Sequence, residues 1–468
     1  MTMTQRTIWR RGAIVGALLA VVLAGAPAAT AASPTAEGRR TYTGTIDGAE
    51  YRVEVPHRWN GTLVLYSHPY YTPEVPPGIG FAVRPETHEW LLDHGYALAA
   101  SDFKGRFGFA VEPALRDQVA LLDWFGSHVG RPRRTVATGS SMGAAIALLL
   151  AERNPRRFDG VAAMCGPLDL NGQWNVSLDV TFALKTLLAP GQDIELVRVG
   201  DPARSVQALQ QAVARALTTP QGRARLALAS SFGNVPGWYS ALNPQPTDLT
   251  EQIRQQAAAT QDIYVGVFGP SGRVDLERRA GGNPSWNVGI DYRHQLARSS
   301  QRDLVRQAYR TAGLDLDGDL SQLAAAPRIA PDPGALRYLN RYGVPRGSTP
   351  APVVTLHNVA DVAVADHERW YAGQVRRSGD PDQVRQLYVN RATHCAFNAA
   401  EEIVTLRTLL SRIENGAWPG TSPWRLNAAA GRLGDGYQLV FDFPTFQEAP
   451  RPPAFTSFTP SPFLRPSR

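Results

Sequence analysis

The chain has 468 residues, 43% hydrophobic and 19% charged, with a formal net charge of +7. This is ordinary globular composition and excludes long disorder, collagen and heptad arrays. Lysine occurs only at Lys104 and Lys185 and the arginines are scattered, so the clustered basic face that nucleic acid requires is not expected.

Residues 1–32 read as an export signal. Arg6, Arg10 and Arg11 form a positive start, Ala13 to Ala24 is a short apolar run, and Ala29-Thr30-Ala31 is a small-x-small cleavage site. The apolar run is short for a membrane span of about 20 residues. Arg10-Arg11 also permits a twin-arginine route. Losing residues 1–31 removes three arginines and no acid, which lowers +7 to about +4. A secreted protein with no stable membrane insertion is expected. In an oxidising compartment its two cysteines, Cys165 and Cys395, have one pairing open to them.

The mature chain begins with strand and helix in alternation, the pattern of a mainly parallel sheet flanked by helices. Tyr42–Val55 is an edge hairpin, and Gly61–Tyr66 is an apolar strand running into Ser67-His68-Pro69. A helix over Glu86–His94 stops at Gly95, and Tyr96–Ser101 is the next strand. Pro113–Val129 has helical apolar spacing. The strand Thr135–Thr138 leads into Gly139-Ser140-Ser141-Met142-Gly143, followed by an apolar helix over Ala144–Arg153 and a strand over Phe158–Met164. From residue 168 to 345 only helical stretches stand out, at Ser205–Leu217, Asp248–Thr260 and Arg302–Thr311. Alternation resumes with the strand Pro352–Leu356, a helix over Ala365–Ser378, the strand Gln386–Val389 and a helix over Glu401–Glu414. The expected organisation is a signal at 1–32, a core of 41–167 and 346–415, a lid or cap insertion at 168–345, and a Pro-rich extension at 416–468.

Gly139-x-Ser141-x-Gly143 matches a nucleophile elbow, a sharp strand-to-helix turn with no room for side chains at the flanking positions. The turn puts the Ser141 oxygen above the sheet edge near a helix N-terminus, which favours developing negative charge. A hydroxyl nucleophile needs a base, and the base an orienting acid. Asp361 lies in the loop after one later strand and His394 at the end of the next, where open α/β sheets build their sites. Asp366 is the rival acid, although it stands where the next helix would be N-capped. His68, His357 and His367 are rival histidines; His357 fits a support for the acid loop and His367 a helix surface. The oxyanion needs N–H donors. Met142 follows the nucleophile, and Tyr70 is the nearest donor in Ser67-His68-Pro69-Tyr70-Tyr71, because Pro69 has no N–H. Cys165 ends the strand after the nucleophile helix and Cys395 adjoins His394, so both fall on one rim of the sheet and a disulfide is expected. Asp315-Leu-Asp317-Gly-Asp319 lacks the spacing of a calcium loop and reads as a helix cap or turn. No motif implies a metal or a cofactor.

The elbow, Asp361 and His394, in that order, resemble the α/β-hydrolase superfamily over residues 41–167 and 350–415. The stretches GTLVLYSHPY, GSSMGAAIALLLAERNPRRFDGVAAMCG and RATHCAF resemble secreted actinobacterial serine hydrolases and esterases. The His394-Cys395 pair is similar to that of tannases and feruloyl esterases, where the cysteine bonds to one beside the serine; here Ser140 holds that place. The resemblance implies an α/β-hydrolase fold and a small-molecule or polymeric ester substrate. The expected function is ester cleavage through an acyl-enzyme, with a serine exopeptidase or an acyltransferase as the alternatives.

Overall fold

The computed structural model describes residues 33–34, 38–72, 78–362 and 364–467. Residues 1–32, where an export signal is expected, lie outside the described residues.

The described residues build a ten-stranded sheet. Strands β1 (Ser33–Pro34), β2 (Arg40–Ile46) and β3 (Ala49–Val55) form an antiparallel edge. Next come β4 (Thr62–Ser67), β5 (Ala97–Ser101), β6 (Arg134–Ser140), β7 (Gly160–Met164), β8 (Val353–Ala360) and β9 (Val384–Ala392). The spatial order runs β3-β5-β4-β6-β7-β8-β9, and every pair from β5 to β9 is parallel. The central strands β4, β5 and β7 are buried along their whole length and mostly apolar, because both faces are covered. Helices α1 (Pro85–Asp93), α2 (Val111–His128) and α3 (Met142–Arg153) follow the early strands. Helix α2 and the almost wholly buried α3 cover one face, while α1 and the late helix Ala399–Asn415 cover the other.

Between β7 and β8 the described chain is helical: α4 (Leu170–Leu188), α5 (Pro202–Ala216), α6 (Pro220–Ser231), α7 (Leu249–Ala259), a π-helical segment (Thr260–Val267), α8 (Pro270–Ala280), α9 (Tyr292–Arg298), α10 (Arg302–Ala312), α11 (Leu316–Ala325) and α12 (Pro333–Gly343). Asp315 caps α11 by accepting the Asp317 N–H at 3.0 Å. Helix α13 spans His367–Ser378, and Ala399–Asn415 is α14, opened by a capping box between Asn398 and Glu401.

Two local expectations are corrected. His367 is fully buried rather than on a helix surface. Its ring lies 3.9 Å from Phe463, and its Nδ1 accepts the Asp169 N–H at 3.1 Å. Asp366 precedes α13 but makes no side-chain cap; it accepts from the Asn234 amide at 2.8 Å instead. The Pro-rich extension after Asn415 contains regular structure. It forms α15 (Pro423–Gly431), a hairpin of β10 (Leu439–Asp442) and β11 (Gln447–Pro450), and β12 (Phe455–Thr456), which adds antiparallel to β9.

Candidate active site

The turn from β6 to α3 is dictated by its glycines. A Cβ at Gly139 would stand 2.3 Å from the Gly143 carbonyl oxygen, and one at Gly143 would stand 2.0 Å from the Ser67 carbonyl oxygen. Only glycine lets strand, helix and the loop after β4 meet this closely. Ser141 between them takes φ 54°, ψ −124°, a conformation that non-glycine residues hold only when the surroundings impose it. That geometry lifts the hydroxyl off the sheet edge. Beneath it, the Tyr66 and Ser140 hydroxyls lie 2.7 Å apart, and Gln118 donates to the Tyr66 carbonyl and the Ser67 hydroxyl at 2.7 and 2.9 Å.

The structure brings together three of the residues singled out above. The Ser141 hydroxyl lies 2.9 Å from His394 Nε2, and His394 Nδ1 lies 3.0 Å from both oxygens of Asp361. The Asp361 side chain is fully buried and His394 is 24% exposed. A carboxylate at Nδ1 keeps the ring proton there and leaves Nε2 as an acceptor for the serine proton. Thr393 and Cys395 on either side of His394 have φ of 62° and 55°, so the histidine rides on a tight, constrained loop. Cys395 is bonded to Cys165 at the end of β7, across 230 residues of sequence.

Met142, as first residue of α3, presents an amide N–H with no intrahelical acceptor. Tyr70 is half-buried and lines the same cavity as Ser141. The cavity has a volume of about 420 Å³ and a largely apolar wall. Tyr66, Tyr70 and Tyr71 come from the core, Ile263, Val267 and Phe268 from the inserted helical region, and Phe441 and Phe443 from the C-terminal hairpin. Arg84 is the cation in the wall, and its charge is matched by Glu448 at 2.7 Å and Glu86 at 3.3 Å.

The rival groups are occupied elsewhere. His357 lies 2.6 Å from the Glu368 carboxylate and 3.2 Å from the Gly166 carbonyl, so both its ring nitrogens are engaged outside the Ser141–His394–Asp361 contact. Its partner lies on α13, a contact that its own neighbourhood in sequence does not announce. His68 is sandwiched between Tyr71 and Phe103, and burial pushes its pKa down to about 4. Burial also raises the Asp366 carboxyl to about 7. Sequence reasoning missed the supports of the histidine loop. Asn358 holds the Ala392 and Thr393 carbonyls, and Arg391 binds Glu401 at 2.7 Å and the Ala396 carbonyl at 2.8 Å. Of these, only the Asn398-x-x-Glu401 capping box has a sequence signature.

A parallel sheet with this strand order, helices on both faces and a serine at the β6–α3 turn is the α/β-hydrolase fold. The Esterase family model matches residues 97–275, and the protein is a hydrolase acting on esters. The chain is also similar to o-phthalyl amidase of Xanthobacter agilis, with 28% identity over 425 residues, covering 84% of this chain and 92% of that protein. Among solved structures it is similar to feruloyl esterase B from Aspergillus oryzae, at 14% identity and a TM-score of 0.43, covering 81% of this chain and 82% of that one. An esterase from Aspergillus oryzae gives 13% identity and a TM-score of 0.39, covering 81% and 80%.

Proposed function

We propose that the protein is a secreted serine hydrolase that cleaves carboxylic esters through Ser141, His394 and Asp361. The observation that carries the reading is the unbroken contact from the Ser141 hydroxyl through the His394 ring to the Asp361 carboxylate, with separations of 2.9 and 3.0 Å. In the first step Ser141 gives its proton to His394 Nε2 and its oxygen bonds to the ester carbon. The ester C–O bond then breaks, the alcohol leaves with that proton, and the acyl group stays on Ser141. Water repeats the sequence with His394 as base, releasing the acid and restoring the serine. Asp361 steadies the imidazolium, and the Met142 and Tyr70 N–H groups hold the oxyanion. Residues 168–345 act as a lid, a reading supported by Ile263, Val267 and Phe268, which line the cavity. The apolar wall and the matched charge of Arg84 suit an uncharged, apolar acyl group. Export is supported by the Arg-then-apolar start of the chain and by the disulfide, which persists in oxidising compartments.

A second reading, hydrolysis of amides of aromatic acids, is favoured by the similarity to o-phthalyl amidase. The same three residues would act, with the amine as leaving group.

The test is hydrolysis of p-nitrophenyl esters from acetate to palmitate by wild type and Ser141→Ala. A turnover optimum that falls by about 10⁴-fold or more in the variant is expected. Undiminished turnover by pure Ser141→Ala protein would refute the assignment. An o-phthalyl amide assayed alongside decides the second reading.

A further inference from the structure

We propose that Phe441 and Phe446 of the C-terminal hairpin form a subsite for an aromatic ring on the leaving alcohol, a proposal that rests on the ester reading above. Three rings of this hairpin run from the cavity to the outside. Phe443 and Phe441 line the cavity, and Phe446 touches both, with ring centres 5.6 and 6.0 Å away. Phe441 is 37% exposed and Phe446 is 75% exposed.

Apart from its two ring contacts, neither backbone nor solvation favours phenylalanine at 446. Its φ is +54°, in the left-handed region that glycine and asparagine occupy at lower cost, and its ring is left in water. The turn is nevertheless held hard. Asp442 is fully buried and accepts from the Ala241 N–H at 2.6 Å, the Ser240 hydroxyl at 3.1 Å and the Thr445 hydroxyl at 2.7 Å, while the Phe446 N–H donates to the Asp442 carbonyl at 2.9 Å. A strained residue in a rigid setting, with an exposed ring beside a reactive cavity, is the pattern of a ligand clamp. The Phe441 and Phe446 planes meet at 77°, an edge-to-face pair to which a third ring can be added.

The chemistry decides which part of the substrate the shelf meets. Once the C–O bond breaks, the acyl group remains on Ser141 while the alcohol must depart before water enters. The alcohol therefore departs toward solvent, and Phe441, which lines the cavity, and its neighbour Phe446 are the rings of this wall that reach solvent.

The experiment measures the Kd of 2-naphthol by its fluorescence, and the ratio of kcat/KM for benzyl and ethyl esters of one acid, in wild type, Phe446→Gly, Phe446→Tyr and Phe441→Ala. Glycine suits the backbone at 446, so Phe446→Gly is expected to fold. In Phe446→Gly and Phe441→Ala the Kd rises and the benzyl-to-ethyl ratio falls, each by about 2- to 10-fold, whereas Phe446→Tyr keeps the ring and retains both. Equal Kd values in wild type and all variants, or no 2-naphthol binding by wild type, would overturn the proposal. Naphthol binding is read without turnover. Intact, Phe446-dependent binding with neither ester hydrolysed supports the subsite and counts against the ester reading alone.

Discussion

Asn358 on β8 holds the backbone at Thr393, one residue before His394: its Nδ2 donates to the Thr393 carbonyl at 3.0 Å and to the Ala392 carbonyl at 2.9 Å. Asn358 is fully buried, and Thr393 has φ 62°, so this side chain braces a loop that would otherwise relax. Asn358→Asp would turn an acceptor toward two carbonyls. Expected outcomes are a fall in kcat/KM of about 10-fold or more, because small misplacement of a catalytic group is costly, and a stability loss of about 1–3 kcal/mol. Steady-state kinetics and urea unfolding check both; wild-type kinetics would remove Asn358 from the account.

The second brace is covalent. Cys165–Cys395 closes a loop of 230 residues, for which the chain-entropy model assigns about 5 kcal/mol of stabilisation. The double variant Cys165→Ser, Cys395→Ser is expected to lose about 2–5 kcal/mol by chemical denaturation, and dithiothreitol is expected to lower the Tm of wild type but not of the variant. Equal sensitivity of the two proteins to reductant would contradict the bond.

Glu402 on α14 accepts the main-chain N–H groups of Val83 and Arg84 at 2.9 and 3.1 Å, and both residues line the cavity. Burial outweighs these bonds and raises its carboxyl from 4.5 to about 7. A pKa higher in the folded state means that its contribution to stability is complete below the unfolded value and is lost as pH rises through the folded one. Stability linked to Glu402 therefore declines between about pH 4.5 and 7. Asp366 and Asp102 shift the same way, to about 7 and about 6. Glu402→Gln is thus expected to shrink the slope of Tm against pH in this window without abolishing it. An unchanged slope would show that Glu402 does not titrate there.

Arg465, near the C-terminus, forms a buried ion pair with Asp179 of α4, donates to the Trp286 carbonyl at 2.7 Å, and lies 5.5 Å over the Trp286 ring. The tail thereby ties the inserted helices to the rest of the molecule; the Ser467 N–H adds a bond to Asp169 at 2.7 Å. Arg465→Ala leaves the Asp179 charge buried without its cation, and a loss of about 3–5 kcal/mol is expected. Adding Asp179→Asn should recover part of it. A loss below about 1 kcal/mol in the denaturation curve of Arg465→Ala would mean that the pair is not formed in solution.

The elements of the core were legible because their signals are local. The glycines at 139 and 143 mark a turn that admits no Cβ, and the mostly apolar strands β4 and β7 mark a sheet covered on both faces. The C-terminal elements were not legible. Helix α15, the hairpin and β12 are short and set among prolines, glycines and exposed aromatics, and β12 is a strand only because β9 offers it an edge. Periodicity also could not bury His367, since its partners Phe463 and Asp169 lie far away along the chain.

Residue order and local pattern alone determined the strand-turn-helix around Ser141, the strand-end positions of Asp361 and His394, and the rim positions of the two cysteines. These follow from backbone sterics and from alternation, which act over a few residues. Only the tertiary structure decided that Ser141, His394 and Asp361 stand within 3.0 Å of one another in sequence of contact, that Asn358 carries the histidine loop, and that rings from the inserted helices and the C-terminal hairpin wall one cavity. Those contacts join segments tens to hundreds of residues apart, and their energies depend on burial and distance that no local pattern encodes.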